Sequence, residues 1–395
     1  MEVPVPVVYD PVDPELWRDP YPVYRRLRDE SPLHYVPDRR FWVLSRFEDV
    51  FAAVNDSTTF SSARGLTFEE DEIVKLGLAP TLVMMDRPAH TAYRRLVNLL
   101  FTPRRVADLE PAVRAFVRGA VGRLADAGGG DLVAELAGPL PALVVARYLG
   151  VPEADRGRFG RWSSAIVSAN AAGNVLSAKE ALGELYGYFT ELLAVRRRSP
   201  GDDMVSVLAR SEIDGRPLEV DEVLGFCFVM IAGGNDTASG LISGAAAALT
   251  EHRDQRRRLV DDPGLVPGAV EELLRYVSPV QGLSRTTTRG VHLHGVSVPS
   301  GGKVHLLFGS ANRDEREFGP DAARLDVGRR ARRMLAFSGG PHHCLGAAAA
   351  RLQGRVVIEE LLASIPEFEA DLAGGHYAPG PFTRRLERLP IAAGS

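Results

Sequence analysis

A cysteine near the end of the sequence lies in a glycine-rich loop that could hold a metal. The segment 337–346 reads Phe-Ser-Gly-Gly-Pro-His-His-Cys-Leu-Gly, and a strongly helical, alanine-rich run follows it. Cys344 is therefore expected at the start of a helix, where unpaired backbone N–H groups and the dipole favour a thiolate and lower its pKa. The glycines allow close approach of a large flat ligand that a Cβ would block. Such a loop suits one strongly bound metal centre.

Two other interpretations of this loop stay open on these residues alone. A single cysteine in an apolar stretch is usually an inert core residue. The His342-His343-Cys344 triplet is also compatible with part of a zinc site. Zinc prefers four ligands, however, and no second cluster of cysteines and histidines lies nearby in the sequence.

A second group of chemically capable residues lies inside a long apolar run. The segment 233–237 reads Gly-Gly-Asn-Asp-Thr. Each glycine costs a helix about 1 kcal/mol relative to alanine, so a compensating role is expected. A groove beside Asp236 and Thr237 suits dioxygen activation, which needs space, a hydroxyl near the distal oxygen and a supply of protons. Helix packing through small residues explains the same glycines equally well.

The surrounding run is long enough to cross a membrane, yet its pattern favours a buried helix. From Val223 to Thr250 the only charged residue is Asp236, which lies near the middle, and no basic cluster precedes the run. A charge at the centre of a bilayer is costly, whereas a protein interior can satisfy it locally. We therefore predict a long core helix and no membrane association.

The elements that position both groups are predicted to be mostly helices with a small β region. Strands are expected at 33–35 and 41–44, and again in alternating segments between 285 and 308. From about Pro103 to Leu259 the pattern is helical, with breaks at 128–130, 152, 171–174 and 199–201.

Composition restricts the class of protein. The 395 residues are 45% hydrophobic and 25% charged, with a net charge of −4, which argues against binding of nucleic acid through bulk electrostatics. The two cysteines, Cys227 and Cys344, offer no disulfide framework and fit a reducing cytosol. The N-terminus lacks a basic segment followed by an apolar core, so we predict a cytoplasmic protein without a secretory signal.

The pattern Phe-x-x-Gly-x-His-x-Cys-x-Gly resembles the haem-ligand loop of cytochrome P450 monooxygenases. It is carried by Phe337, Gly340, His342, Cys344 and Gly346. The segment 233–237 resembles the oxygen-binding helix of that family, with Gly233 in place of the usual alanine. The resemblance extends over nearly the whole chain and is strongest to soluble actinobacterial, mycobacterial-type members. Ser338 departs from the pattern, because a glycine is common there.

The resemblance implies a fold and a set of site residues. The fold is one mainly α-helical domain over 1–395 with a small β-sheet region, and haem b lies between the long helix and the Cys344 loop. Asp236 and Thr237 are the implied catalytic proton carriers. The implied partners of the haem propionates are His90, Arg94, Arg285 and His342. Glu272 and Arg275, with Arg329 as the third member, are the implied structural network, and the implied substrate contacts are Gly233, Val280, Leu283 and Phe382, with walls from 60–82 and 165–175.

The activity implied is insertion of one oxygen atom from O2 into a hydrophobic small molecule, by hydroxylation or by N- or O-dealkylation. The sequence has no motif for a flavin or an iron–sulfur cluster, so electrons are expected from a ferredoxin and its NAD(P)H-dependent reductase. The basic run 329–333 could dock an acidic carrier, although such runs are more often solvated faces. A peroxide-using haem-thiolate enzyme and a non-catalytic haem-binding protein are the alternatives.

Overall fold

A computed structural model of the chain describes residues 6–68, 81–171 and 178–394. Helices form most of this part, with small sheets, as the sequence predicts. In chain order the helices are α1 Pro14–Arg18, α2 Tyr21–Glu30, α3 Phe47–Asn55, α4 Ala89–Val97, α5 Pro103–Ala107, α6 Glu110–Asp126, α7 Pro139–Leu149, α8 Arg156–Ala171, α9 Lys179–Arg198, α10 Met204–Ala209, α11 Val220–Glu251, α12 Arg253–Asp261, α13 Val266–Val277, α14 Phe308–Ala311, α15 Glu315–Phe318 and α16 Ala347–Ser364.

The strands are short and belong to small sheets. They are β1 Leu33–Val36, β2 Phe41–Leu44, β3 Phe60–Ser61, β4 Gly129–Asp131, β5 Glu212–Ile213, β6 Arg216–Pro217, β7 Leu283–Thr287, β8 Val291–Leu293, β9 Val296–Val298, β10 Lys303–Leu306, β11 Glu369–Ala370, β12 His376–Tyr377, β13 Leu386–Arg388 and β14 Pro390–Ala392. The largest sheet has the order β1-β2-β10-β7-β3, in which β10 runs parallel to β2 and the other neighbours are antiparallel.

Helix α11 extends through the middle of the apolar core and positions one half of the site. It has 32 residues and begins at a capping box in which the side chains of Glu219 and Glu222 satisfy backbone N–H groups of the first turn. Most of its second half is buried, so the prediction of a long core helix is confirmed. Among the described residues, no helix combines the length and the apolar character that a membrane crossing requires.

Two apolar clusters share α11 and hold the helices together. The first packs the second half of α11 against α6, α13 and α16, and the second packs its first half against α7, α8, α9 and α10. Burial of apolar side chains contributes roughly 25 cal/mol for each Å² removed from water, so these two clusters are the main source of stability. They fix α11 between two groups of helices.

The predicted strands at 33–35 and 41–44 and in the region 285–308 are confirmed, but other strands were missed. The break predicted at 128–130 contains β4, whose residues pair with β14 from the other end of the chain. The hairpin of β5 and β6 also interrupts the stretch predicted as helical. Both errors have one cause, because strands of two or three residues are too short to show an alternating pattern.

Close packing at a helix crossing predicts the effect of one substitution. A Cβ on Gly244 of α11 would lie 2.5 Å from Cγ1 and 3.2 Å from Cγ2 of Val277. Overpacking costs about 1–3 kcal/mol, and we expect this cost to exceed the gain of helix propensity in Gly244→Ala. Gly187→Ala is the control, because no atom lies within 4 Å of its Cβ position, and it should stabilise the protein by up to about 1 kcal/mol. Urea unfolding of both variants measures the difference, and equal stabilisation would contradict this packing.

Candidate active site

The loop that carries Cys344 is closed by its own backbone and packed against α3. The N–H of Cys344 donates to the carbonyl of Phe337 over 2.9 Å. Gly340 has a φ of 58°, and a Cβ there would collide with the backbone carbonyl of Val54. A glycine is therefore required at this position. Ser338 has a φ of 57°, which explains why a glycine is more usual at that point of the loop.

The electrostatics of the thiol differ from the sequence prediction. Although Cys344 is accessible to solvent, the surrounding protein desolvates the thiol and raises its pKa. The N–H of Gly346 and the charges of Arg94 and Arg351 act in the opposite direction. Helix α16 begins only at Ala347, and the pKa of the thiol is raised by desolvation where the sequence predicted a lowering. A metal cation ligated by the sulfur would supply the charge that favours the thiolate.

The glycine pair of α11 opens one face of an otherwise buried helix. No atom lies within 4 Å of a Cβ position on Gly233, whereas a Cβ on Gly234 would lie 2.9 Å from Cγ2 of Val145 in α7. Thr237 lies one turn after Gly233 and its hydroxyl donates to the Gly233 carbonyl over 2.8 Å. The open face therefore presents a hydroxyl beside free space, as the predicted groove requires.

The loop and α11 border the same region. Leu345, next to Cys344, packs against the apolar cluster that contains Val145, the residue that faces Gly234. Further along, α16 and α11 touch where a Cβ on Gly354 would lie 3.1 Å from Cδ2 of Leu241. Cys344 precedes this crossing along one element, and Gly233–Thr237 precedes it along the other. The crossing therefore fixes the two elements that carry these segments against each other.

Asp236 is buried and forms an ion pair that the sequence did not predict. Its Oδ1 lies 2.6 Å from Nε of Arg385, and both side chains are less than a tenth exposed. Desolvation raises the pKa of Asp236 to about 6, although Arg385 lowers it and Glu387 raises it further. The carboxyl group can therefore gain and lose a proton near neutral pH, which suits a proton carrier.

The predicted propionate partners form a positively charged cluster. The rings of His90 and His342 lie 4.3 Å apart, and Arg94 donates to the carbonyls of Pro341 and His343 over 3.0 and 2.7 Å. Arg94 is thus tied to the loop by two of its N–H groups. Arg285 is buried and donates to the carbonyl of Ser284.

Burial and neighbouring charges favour the neutral form of both histidines in this cluster. Desolvation, together with the charges of Arg285, His90 and Arg94, lowers the pKa of His342 to about 3. Desolvation and Arg94 likewise lower the pKa of His90. Both rings therefore favour the neutral form at physiological pH. They can serve as hydrogen-bond donors, and an anion placed between them would raise both pKa values.

This cluster fits a cofactor that carries acidic groups. Burial lowers the pKa of Arg285 to about 10, with Asp86 as the opposing charge, and Nε2 of His90 is buried without a hydrogen-bond partner. A buried cation with one neutral acceptor is costly unless an anion pairs with it. The side chains around Cys344 therefore fit the haem that the sequence resemblance implies.

Below the loop, the structure brings Glu272, Arg275 and Arg329 together. Nε of Arg275 lies 2.7 Å from Oε2 of Glu272, and both side chains are 0% exposed. Nε of Arg329 lies 3.2 Å from Oε1 of the same carboxylate. Arg275 also donates to the carbonyls of Asn312, Ala322 and Arg324. The network fastens the segment that leads into the Cys344 loop to α13.

The predicted substrate residues lie in two places. Val280 bridges Thr383 through the backbone, and the N–H of Gln281 donates to the carbonyl of Phe382 over 2.7 Å, so Val280 and Phe382 lie close together. Leu283 begins β7, next to them, and Gly233 lies on α11. Of the predicted wall segments, 69–80 and 172–175 lie outside the described residues.

Comparison with known proteins gives consistent similarities. A family model described as cytochrome P450 matches residues 263–370. Cytochrome P450 130 of Mycobacterium tuberculosis is 49% identical over 387 residues, which are 95% of this chain and 96% of that protein. Vitamin D(3) 25-hydroxylase of Pseudonocardia autotrophica is 37% identical over 96% of this chain and 94% of its own length. The structure of cytochrome P450 CYP109Q5 from Chondromyces apiculatus has a TM-score of 0.88 and 34% identity, with 98% of each chain covered.

The buried network predicts unequal effects for two adjacent glutamates. Glu272→Gln leaves Arg275 buried without its counter-charge, so we expect a loss of about 3–5 kcal/mol in stability. Glu271→Gln is the matched control, because the pair of Glu271 with Arg351 is exposed by more than a third on both sides and contributes about 0–1 kcal/mol. Denaturant unfolding measures both variants. Equal losses would show that the Glu272 network does not stabilise the fold.

Proposed function

This chain belongs to the cytochrome P450 family and is a monooxygenase, and on that premise we propose a specific reaction for it. We propose that it is a single-domain haem b enzyme that inserts one oxygen atom from O2 into a hydrophobic small molecule, by hydroxylation or by N- or O-dealkylation. The observation that carries the proposal is the cationic cluster at the Cys344 loop, where Arg94 donates to the carbonyls of Pro341 and His343 and the charge of buried Arg285 acts on His342.

Cys344 would ligate the iron, and the cluster around Arg285 would receive the acidic groups of the porphyrin. When bound, haem with a thiolate ligand supplies the chemistry that activates O2 and cleaves the O–O bond. The N–H of Gly346, which lowers the pKa of Cys344, stabilises negative charge on the sulfur. The hydrogen bond from the Cys344 N–H to Phe337 keeps the loop in place.

Asp236 and Thr237 would supply protons to the open face of α11. Asp236 can hold a proton on its carboxyl group, because its pKa is about 6. The Thr237 hydroxyl donates its proton to the Gly233 carbonyl, so its oxygen can still accept a hydrogen bond at the open face of α11. The overall reaction consumes O2, two electrons and two protons; one oxygen atom enters the substrate and the other leaves as water.

Apolar side chains support a hydrophobic substrate. Val280 and Leu283 pack at the edge of an apolar cluster, and Phe382 stacks against Phe68 with ring centroids 5.2 Å apart. The relative named vitamin D(3) 25-hydroxylase acts, by its name, on a large apolar molecule. Pockets for such ligands are mainly apolar with a few polar groups. We propose a substrate of this kind.

Electrons would arrive from a ferredoxin and its NAD(P)H-dependent reductase. Two arginines of the predicted docking run 329–333 are already occupied by ion pairs within the protein. Arg329 pairs with Glu272 and Asp321, and Arg333 pairs with Glu317. Arg330 and Arg332 are exposed, and within the described residues neither makes an ion pair. These two arginines are the part of the run that can attract an acidic carrier. The cytoplasmic location stays a prediction.

The carbon monoxide difference spectrum of the reduced, haem-loaded protein tests the assignment of Cys344. The wild type should show the strongly red-shifted Soret band of thiolate-ligated haem, and Cys344→Ala should lack it. Cys227→Ala is the control, because that thiol is buried in α11, and it should retain the band. A spectrum that Cys344→Ala leaves unchanged would refute the proposed ligand. Haem binding without substrate-induced spectral change or NAD(P)H consumption would instead indicate a non-catalytic haem protein.

Charge reversal tests the docking surface. The double variant Arg330→Glu/Arg332→Glu should slow electron transfer from an acidic ferredoxin by about tenfold or more at low ionic strength, since long-range attraction accelerates association. Substrate affinity should stay unchanged. Arg161→Glu/Lys179→Glu, on α8 and α9, is the control with the same change in charge. Equal rates in the two double variants would exclude a docking role for Arg330 and Arg332, and full activity with peroxide alone would favour a peroxide-using enzyme.

A further inference from the structure

The ion pair of Asp236 connects the long helix to a hairpin near the end of the chain. Arg385 lies just before β13, and its Nε approaches Oδ1 of Asp236 to 2.6 Å. The contact joins one nitrogen of the guanidinium to one oxygen of the carboxylate. Such a contact can be released more easily than an aligned, bidentate pair.

The backbone around Arg385 is held firmly against α11. A Cβ on Gly240 would lie 2.8 Å from the carbonyl oxygen of Arg384, so the glycine permits this close approach. The N–H of Arg384 donates to the carbonyl of Pro279, and the N–H of Ala378 donates to that of Arg385. The backbone from which Arg385 extends is therefore held in place independently of Asp236, and the guanidinium remains free to change partners.

A second carboxylate competes for the same guanidinium. Nη2 of Arg385 lies 3.3 Å from Oε1 of Glu387, and Oε2 of Glu387 lies 3.7 Å from Nε2 of His376. The exposed fraction of the side chains rises along this series, from 8% for Arg385 to 34% for Glu387 and 70% for His376. The charged groups that act on Asp236 are Arg385 and Glu387, and His376 lies beyond them at the surface.

We propose that Arg385 is a positioning residue for proton delivery, and that Glu387 allows it to release Asp236 when that carboxyl group takes up a proton. This inference rests on the proposed function of Asp236. The guanidinium does not titrate, so it transfers no proton itself. The guanidinium of Arg385 holds the ionised carboxylate of Asp236. It shifts toward Glu387 when Asp236 is protonated, and it returns after Asp236 has passed the proton to the open face of α11. Each cycle moves one proton from solvent inward and requires no additional reactant.

Substitutions of the two residues should shift the titration of Asp236 in opposite directions. In Arg385→Met, desolvation acts without an opposing cation, so the apparent pKa should rise by about 1–3 pH units. In Glu387→Gln the negative charge that repels Asp236 is lost, and Arg385 pairs with Asp236 alone. The apparent pKa of Asp236 should therefore fall. Arg385→Lys retains the positive charge, so the apparent pKa of Asp236 in this variant should be close to the wild-type value.

Infrared difference spectroscopy of the haem-loaded protein across pH measures this titration directly. The band of the neutral carboxyl group is assigned by its loss in Asp236→Asn. Arg388→Met is the control, because Arg388 lies on the same strand and donates to the carbonyl of Gly374. The second readout is the amount of product formed per NAD(P)H consumed, measured as a function of pH. In each variant, this pH profile should shift in the same direction as the apparent pKa of Asp236 in that variant.

An unchanged titration in both Arg385→Met and Glu387→Gln, or shifts of the same sign, would overturn the proposal. If Arg385→Met does not fold, Glu387→Gln still tests the proposal, because the Glu387 side chain is partly exposed and its replacement should lower the apparent pKa of Asp236. The infrared titration needs no turnover. Loss of turnover in the wild type would therefore count against the monooxygenase function, without deciding the role of Arg385.

Discussion

The buried pair of Glu272 and Arg275 is the constraint on which the geometry of the cysteine loop depends. Neither side chain is exposed to solvent, so each must satisfy all its polar atoms within the protein. Arg275 binds three carbonyl groups of the segment 312–324, and Glu272 accepts the N–H of Asp326 and the guanidinium of Arg329. Asn312 in turn accepts the N–H of Leu335, just before the loop. The loop position is thus set by α13.

Charges near Cys344 and Asp236 are less completely paired than those of this network. Arg275 has five contacts to acceptors, whereas buried Arg285 donates to one carbonyl. Asp236 has one cation, which it contacts through one carboxylate oxygen. A fully paired charge fixes a structure, and an incompletely paired one can respond to a ligand or a proton. The completeness of charge pairing therefore distinguishes residues that stabilise the fold, such as Arg275, from residues suited to binding or proton transfer, such as Arg285 and Asp236.

The sequence predicted what depends on local spacing. The helical class, the long core helix, the glycine-rich loop before α16 and the proximity of Glu272 to Arg275 follow from residues a few positions apart. Arg385 was missed because its partner is distant in the sequence; a buried Asp236 requires a cation, but the sequence does not say which one. The direction of the pKa shift of Cys344 was not predictable in the same way, because desolvation depends on the whole fold.

The segment 381–387 joins two properties that enzyme engineers usually treat separately. Phe382 lies next to the backbone bridge between Val280 and Thr383, and Arg385, which follows in the same extended segment, contacts Asp236. A segment exchanged to accept a larger or smaller molecule therefore carries the control of proton supply with it. Exchange of this segment would therefore change substrate selectivity and oxidative efficiency together. Directed evolution toward a new compound would have to optimise both properties at the same few positions.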